Sequence, residues 1–315
     1  MFDFFLVSCP IYLLILIGFI STRMGLFKKE DMRILGKFVI NLSLPALIFN
    51  SLSKQAFTEI FNLSYFLVYL SGSLFIIGLG LLWFRSHREN SAIYVLGMSC
   101  SNSGFVGYPI LFLVLPPVAG VALSLNLIVE NCFVIPLMLI IAECHLNTSG
   151  NWLRQAGQSL LGLCKNPLII GLAGGMAVSL SGISLPVPVT HAITMLASAS
   201  GGLSLFVIGG ALVNLPMKGM AKQSLPIVFG KLLLHPLVVA LAAVLLPFFF
   251  YLPVLTPAMC SAALLSAAMP MMGVYPIFAQ KYNKESLASA TLLITTVCSV
   301  FTLNIALWFI MRYGH

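Results

Sequence analysis

Ten apolar stretches of spanning length fill this 315-residue chain and leave it almost no choice of fold. They run from about 4 to 22, 34 to 52, 63 to 84, 91 to 114, 119 to 142, 158 to 180, 191 to 213, 223 to 249, 257 to 280 and 287 to 310. Each is close to the roughly 20 residues that cross a bilayer as a helix. Hydrocarbon offers no partner to a backbone amide or carbonyl, so a helix, which pairs them internally, is the form such a stretch must take. With 60% of residues hydrophobic and only 8% charged, the chain carries about a third of the charge of a soluble domain. The expected fold is an all-α integral membrane protein with ten transmembrane helices and no soluble domain.

Two of the stretches cannot be uninterrupted helices. Cys100-Ser101-Asn102-Ser103-Gly104-Phe105-Val106-Gly107-Tyr108-Pro109 in the fourth, and Ala267-Ala268-Met269-Pro270-Met271-Met272-Gly273-Val274-Tyr275-Pro276 in the ninth, put Gly and Pro in mid-segment. A break at membrane depth costs several kcal/mol unless protein, water or a ligand receives the freed N–H and C=O groups. Paired broken helices in corresponding places of two halves therefore read as a transporter's binding site, with Pro109, Pro270 and Pro276 marking the crossover backbone.

Depth shows which polar residues share that layer. At about 1.5 Å per residue, Asn102 lies roughly 16 Å from the inner end of the fourth span, Glu130 about 16 Å from the outer end of the fifth and Pro270 about 20 Å from the outer end of the ninth. Lys231 and His235 lie about 12 and 18 Å into the eighth, one turn apart on one face. All five fall near the middle of a core about 30 Å thick. Pro45, Pro136 and Pro236 read instead as kinks.

Positive charge sets orientation rather than nucleic-acid binding, because it lies in short loops and forms no stripe. Arg23, Lys28, Lys29, Arg33, Arg85, Arg88, Arg154, Lys218, Lys222, Lys281 and Lys284 fall after odd-numbered spans, against Lys54 and Arg312 on the other face. Both termini are expected on the outer side of the membrane. The first span is expected to be retained, since Asp3 precedes it and no basic segment does.

The halves repeat. Asn41-Leu42-Ser43-Leu44-Pro45 parallels Gly202-Leu203-Ser204-Leu205-Phe206, Cys9-Pro10 parallels Asn166-Pro167, and Gly107-Tyr108-Pro109 parallels Val274-Tyr275-Pro276, in the same order. Five spans per copy is an odd number, so the second copy enters from the other face. The expected organisation is two inverted five-helix repeats, residues 1–142 and 158–315, joined by a cytoplasmic loop at 143–157.

These residues resemble the auxin efflux carrier family of membrane transporters, in its short-loop bacterial form. The likeness rests on Asn41 to Phe49 (NLSLPALIF), Asn102 to Pro109 (NSGFVGYP), Lys165-Asn166-Pro167, and Ala268 to Asn283 (AMPMMGVYPIFAQKYN), and covers essentially the whole chain. It implies a fold like that of the bile-acid/sodium symporters, with crossing broken helices four and nine holding an organic anion in an elevator-type cycle. Position by position it places Asn102, Asn166, and Glu130 beside Asn131 on the substrate side. Glu130 departs from the amide usual there. Met271 and Met272 stand where some members have polar side chains, which leaves the backbone of the ninth span as its contribution.

The residues support such a site independently. Half-helix N-termini expose unpaired N–H groups and a positive dipole end, which favour a carboxylate. Ser103, Gly104, Pro270 and Met271 complete the expected substrate cradle around Asn102. Glu130, Lys231 and His235 are the candidates for proton or charge coupling, because ionisable side chains at membrane depth mark ion or substrate pathways. Helix-to-helix pairing among the three is the bland alternative. Ser103 lies in no nucleophile elbow, no HExxH motif is present, and the seven cysteines form no C-x-x-C pair, so an enzyme is disfavoured. The expected function is secondary transport of a small organic anion, with a channel or a ligand-binding receptor as the alternative. No cofactor or metal is expected; coupling to protons or sodium and uncoupled uniport both stay open, and the expected partners are the anion, the bilayer and a second copy of the chain, without nucleic acid.

Overall fold

The computed structural model describes residues 2–54, 62–145, 165–213, 220–280 and 282–313. Its elements are helices: α1 (Phe2–Arg23), α2 (Glu30–Leu52), α3 (Leu63–Trp83), α4 (Arg88–Ser99), α5 (Ser103–Val114), α6 (Pro116–Ala142), α7 (Pro167–Ser181), α8 (Val187–Ala211), α9 (Ala221–Phe250), α10 (Pro257–Ala268), α11 (Tyr275–Gln280) and α12 (Glu285–Tyr313). No β-strand forms among the described residues; the extended backbone makes one isolated antiparallel bridge. Among the described residues six helices, α2, α3, α6, α8, α9 and α12, are long and apolar enough to cross a membrane. The fourth and ninth apolar stretches are each split in two, as α4/α5 and α10/α11. Most of the loop expected at 143–157, with Arg154, and the start of the sixth stretch lie outside the described residues, as do Lys218 and Lys281.

The helices gather into two compact units, each drawn from both halves of the chain. The first comprises Met1–Asn62, Gly104–Leu125 and Cys164–Asn214; the second comprises Leu63–Ser103, Asn126–Leu163 and Leu215–His315. Neither is a run of contiguous sequence.

In the first unit helices meet backbone to backbone. Gly171 of α7 faces Pro45 of α2, and a Cβ there would lie 2.6 Å from the Pro45 carbonyl oxygen; Gly175, one turn on, lies against Phe49 and Leu52. Gly209 of α8 likewise abuts the Ile15 backbone of α1. Lipid is as apolar as a leucine, so helix association within it depends on such close approach. A cavity of about 390 Å³ also lies in this unit, lined by Pro10, Leu47, Asn50, Tyr108, Pro109 and Thr194 among others.

In the second unit α3 packs on α9 with Gly72 against Val239, and Gly230 of α9 lies against Met98 of α4. The interior includes the fully buried Tyr65, Tyr69, Tyr275 and Lys231.

Among the described residues four helices widen by a π-turn, at Val39–Ser43, Ser103–Gly107, Val129–Val134 and Gly230–Leu234. Each turn is followed by one residue and then a proline: Pro45, Pro109, Pro136 and Pro236. Proline has no N–H to give and its ring crowds the carbonyl four residues back, and a wider turn relieves that crowding. In three of them the residue just before the proline bonds five residues back, Leu44 to Val39, Ile135 to Glu130 and His235 to Gly230. The sequence reading of Pro45, Pro136 and Pro236 as kinks thus becomes something more specific, a widened turn on the N-terminal side of each.

Candidate substrate and charge-coupling site

α4 stops at Ser99 and α10 at Ala268, and beyond them Ser101 and Met271 pair in the antiparallel bridge. The Asn102 amide donates to the Pro270 carbonyl at 2.8 Å. Each break thus takes up backbone groups stranded by the other, which is how interruptions persist where Cys100, Met269 and Met271 are fully buried. Met271 contributes through its backbone, as its apolar side chain requires. Asn102 is 6% exposed, and its amide nitrogen lies 3.9 Å from the Cβ position of Gly273. Pro276 is the second residue of α11, where a missing N–H costs the helix nothing.

Beside this pairing runs a chain of buried polar side chains, all within the second unit. Ser103 Oγ donates to Glu130 Oε1 at 2.7 Å, and Tyr69 Oη donates to the same oxygen at 3.0 Å. Tyr69 Oη also lies 3.2 Å from Ser101 Oγ, which accepts from Lys231 Nζ at 2.7 Å. Lys231 Nζ donates to the Ala267 carbonyl at 2.8 Å and lies 2.8 Å from His235 Nδ1. Glu130 and Lys231 each sit in a π-turn, so the turns that accommodate Pro136 and Pro236 also carry the two ionisable groups. Around them Tyr65 stacks on Tyr69 at 6.3 Å between ring centroids, and its hydroxyl donates to Asn126 Oδ1 at 3.0 Å.

The expected site residues thus divide. Asn102, Ser103, Glu130, Pro270, Met271, Lys231 and His235 belong to the second unit, where hydrogen bonds link Asn102 to Pro270, Ser103 to Glu130 and Lys231 to His235. Asn131 turns back on its own helix, donating from Nδ2 to the Leu127 carbonyl at 2.9 Å. Asn166 belongs to the first unit and caps α7, its Oδ1 accepting from the Leu168 amide at 3.0 Å with Pro167 as the first helical residue. Gly104 and Pro109 also fall in the first unit; Gly104 lies against Leu44, and Pro109 lines the cavity.

Tyr69 and Ser101 were missed by the sequence reading although they link the two charged residues. Their signal was present as two tyrosines four apart in the third span, and as a serine inside the broken segment. Asn50 and Thr194, whose side chains meet at 3.3 Å in the first unit's cavity, were also passed over. Among the described residues no group of three or more His, Cys, Asp or Glu side chains converges as a metal ion would need.

Residues 5–307 match the family described as "Membrane transport protein". A protein of Rhizobium meliloti (strain 1021) named "Putative malonate transporter" is 26% identical over 314 residues, covering 97% of this chain and 95% of that relative. The "Uncharacterized transporter YfdV" of Escherichia coli (strain K12) is 27% identical over 74% of this chain and 76% of its own length. A shorter match, 31% identical over 32% of this chain and 34% of the relative, is to an "Uncharacterized transporter" of Methanothermobacter thermautotrophicus. The chain belongs to this auxin efflux carrier-type family of membrane transport proteins and is a multi-pass membrane transporter, not an enzyme.

Proposed function

We propose that the protein is a secondary transporter for a small organic anion of the carboxylate class, with malonate the first compound to try. The observation that carries this reading is the pairing of two broken helices, Asn102 to Pro270 and Ser101 to Met271, beside a buried acid and a buried base. Neutral donors near a buried cation suit a carboxylate, and polar groups confined to one layer suit a single enclosed site with alternating access. In this reading the chain has ten spans in two inverted five-helix repeats, residues 1–142 and 158–315, and works by an elevator-type movement. Both termini lie outside a bacterial inner or plasma membrane, and the protein pairs with a second copy. Asn102, with Ser103, Gly104 and the backbone of Pro270 and Met271, holds the carboxylate; Asn166 and Asn131 complete the substrate side, and Glu130, Lys231 and His235 set its charge.

The test is uptake of radiolabelled mono- and dicarboxylates, malonate included, into proteoliposomes with and without imposed proton or sodium gradients. Saturable, gradient-sensitive accumulation is the expected result, and Asn102→Ala is expected to weaken apparent affinity roughly tenfold or more, the loss of one hydrogen bond to a charged group. Unchanged affinity in that variant would remove Asn102 from the site. Flux that never saturates would identify a channel, and binding without flux a receptor.

A further inference from the structure

The hydroxyls between Glu130 and Lys231 are arranged so that a proton can pass from one end to the other without loss of a hydrogen bond. With Lys231 as ammonium, its three protons go to Ser101 Oγ, the Ala267 carbonyl and His235 Nδ1, which are the three partners within 2.8 Å. The imidazole then accepts at Nδ1 and carries its proton at Nε2, an atom with no hydrogen-bond partner among the described residues. Tyr69 has one hydroxyl proton, which goes to Glu130, so the Ser101 hydroxyl donates to Tyr69. The chain therefore points one way, from Lys231 through Ser101 and Tyr69 to Glu130.

Reversal costs no partner. An N–H bond of Lys231 breaks as an O–H bond forms on Ser101. The original Ser101 proton moves to Tyr69, and the original Tyr69 proton moves to Glu130 Oε1. Lys231 is left as an amine that accepts from Ser101 while donating its two remaining protons to Ala267 and His235. Glu130 is left as a carboxylic acid that donates to Tyr69 while still accepting from Ser103. The ion pair has become a neutral pair with every link intact, and each group is buried, with relative exposure of 4% or less. An interior of low dielectric makes that exchange consequential, because separated charges are costly there and neutral partners are not.

We infer that Tyr69 and Ser101 are positioning residues forming a two-hydroxyl proton relay between Glu130 and Lys231, so that the passage of one proton converts the helix crossover between an ion pair and a neutral pair. This rests on the reading of Glu130 and Lys231 as the charge-coupling pair. Because Ser101 also forms the bridge to Met271, the relay runs through the backbone pairing that joins the two broken helices. The other ionisable groups facing the relay are Tyr65 from α3, Cys100 from the end of α4 and His235 from α9.

The test is a pH titration of the Glu130 carboxyl band by infrared difference spectroscopy on the full-length protein in lipid vesicles without substrate, with Glu130→Gln identifying the band. Ser101→Ala and Tyr69→Phe are each expected to move the midpoint by about one pH unit or more, a tenfold change in proton affinity. Ser101→Thr, which keeps a hydroxyl, is expected to stay within about twofold of the parent. Attraction through space does not depend on the hydroxyls, so the decisive comparison is Lys231→Met, whose effect on the midpoint should fall by more than half when either hydroxyl is absent. An effect of Lys231→Met that is the same with and without the hydroxyls overturns the relay. Tyr69→Phe carries the comparison alone should Ser101→Ala not yield folded protein. Proton-driven uptake on the same preparations separates the two readings: spectra as expected with uptake indifferent to the proton gradient leave the relay standing and remove proton coupling from the proposed function.

Discussion

Lys231 is fully buried, and its ammonium group spends all three protons on protein acceptors, which is the arrangement a cation needs to survive away from water. Its counter-charge, Glu130, is reached through Ser101 and Tyr69. Removing one member of a buried pair strands the other, at a cost of about 3–5 kcal/mol, whereas removing both strands nothing. Lys231→Met and Glu130→Gln are therefore each expected to lower the apparent melting temperature of the purified protein. The double variant should lose less than the sum of the two, by an interaction of about 0.5–3 kcal/mol. Additive losses would show that the two residues do not share a network. At this scale the sequence was silent about partners. Counting residues puts Glu130, Lys231 and His235 in one expected layer, but that Tyr69 and Ser101 link the acid to the base depends on which faces of α3, α4, α6 and α9 meet. Asn166 shows the opposite limit: the residue that opens α7 spends its oxygen on the helix cap, and nothing in a single sequence separates a cap from a ligand.

That each span breaks was legible from Gly and Pro in mid-span, but the point of the break was legible only in the ninth, where α10 ends at Ala268 just before Pro270; in the fourth, α4 ends at Ser99 and α5 carries Gly104, Gly107 and Pro109 within its helix. The π-turns were not legible. A wide turn keeps the same apolar residues as a narrow one, and only the proline that follows betrays it. The glycines of α7 and α8 carry a signal that sequence shows without its object, since Gly171 and Gly175 sit four apart but nothing in the chain says that α2 is the helix they receive. With Pro45 O at 2.6 Å from its Cβ position, Gly171 admits no larger residue unless backbone moves. Gly171→Leu is expected to separate α7 from α2, lowering the apparent melting temperature and the yield of monodisperse protein. Gly78, with open space where its Cβ would lie, should accept Ala with little change. Equal tolerance at the two positions would contradict the close approach of α2 and α7.

At the scale of the whole molecule the sequence order and the spatial order part company. Both units draw on both halves of the chain, and no composition shift marks where one gives way to the other, because all these helices must present similar surfaces to lipid. What composition does mark is sidedness. Arg23 and Lys28 flank the turn between α1 and α2, while Lys54 follows the other end of α2, and that helix of 23 residues is about 35 Å long, enough to span the hydrocarbon core. By the positive-inside rule, the excess of Lys and Arg near the first end predicts that this end faces the cytoplasm. A single cysteine introduced as Met24→Cys, at a residue 80% exposed, or as Lys54→Cys, in a background lacking the native cysteines, reads this directly. Lys54→Cys is expected to react with a membrane-impermeant maleimide on intact cells, and Met24→Cys only after permeabilisation. The reverse pattern would invert the orientation and place both termini inside. Labelling of both from one side would show that α2 does not cross, and with it the inverted pairing of five-helix repeats would fall, since that pairing depends on an odd number of crossings in each half.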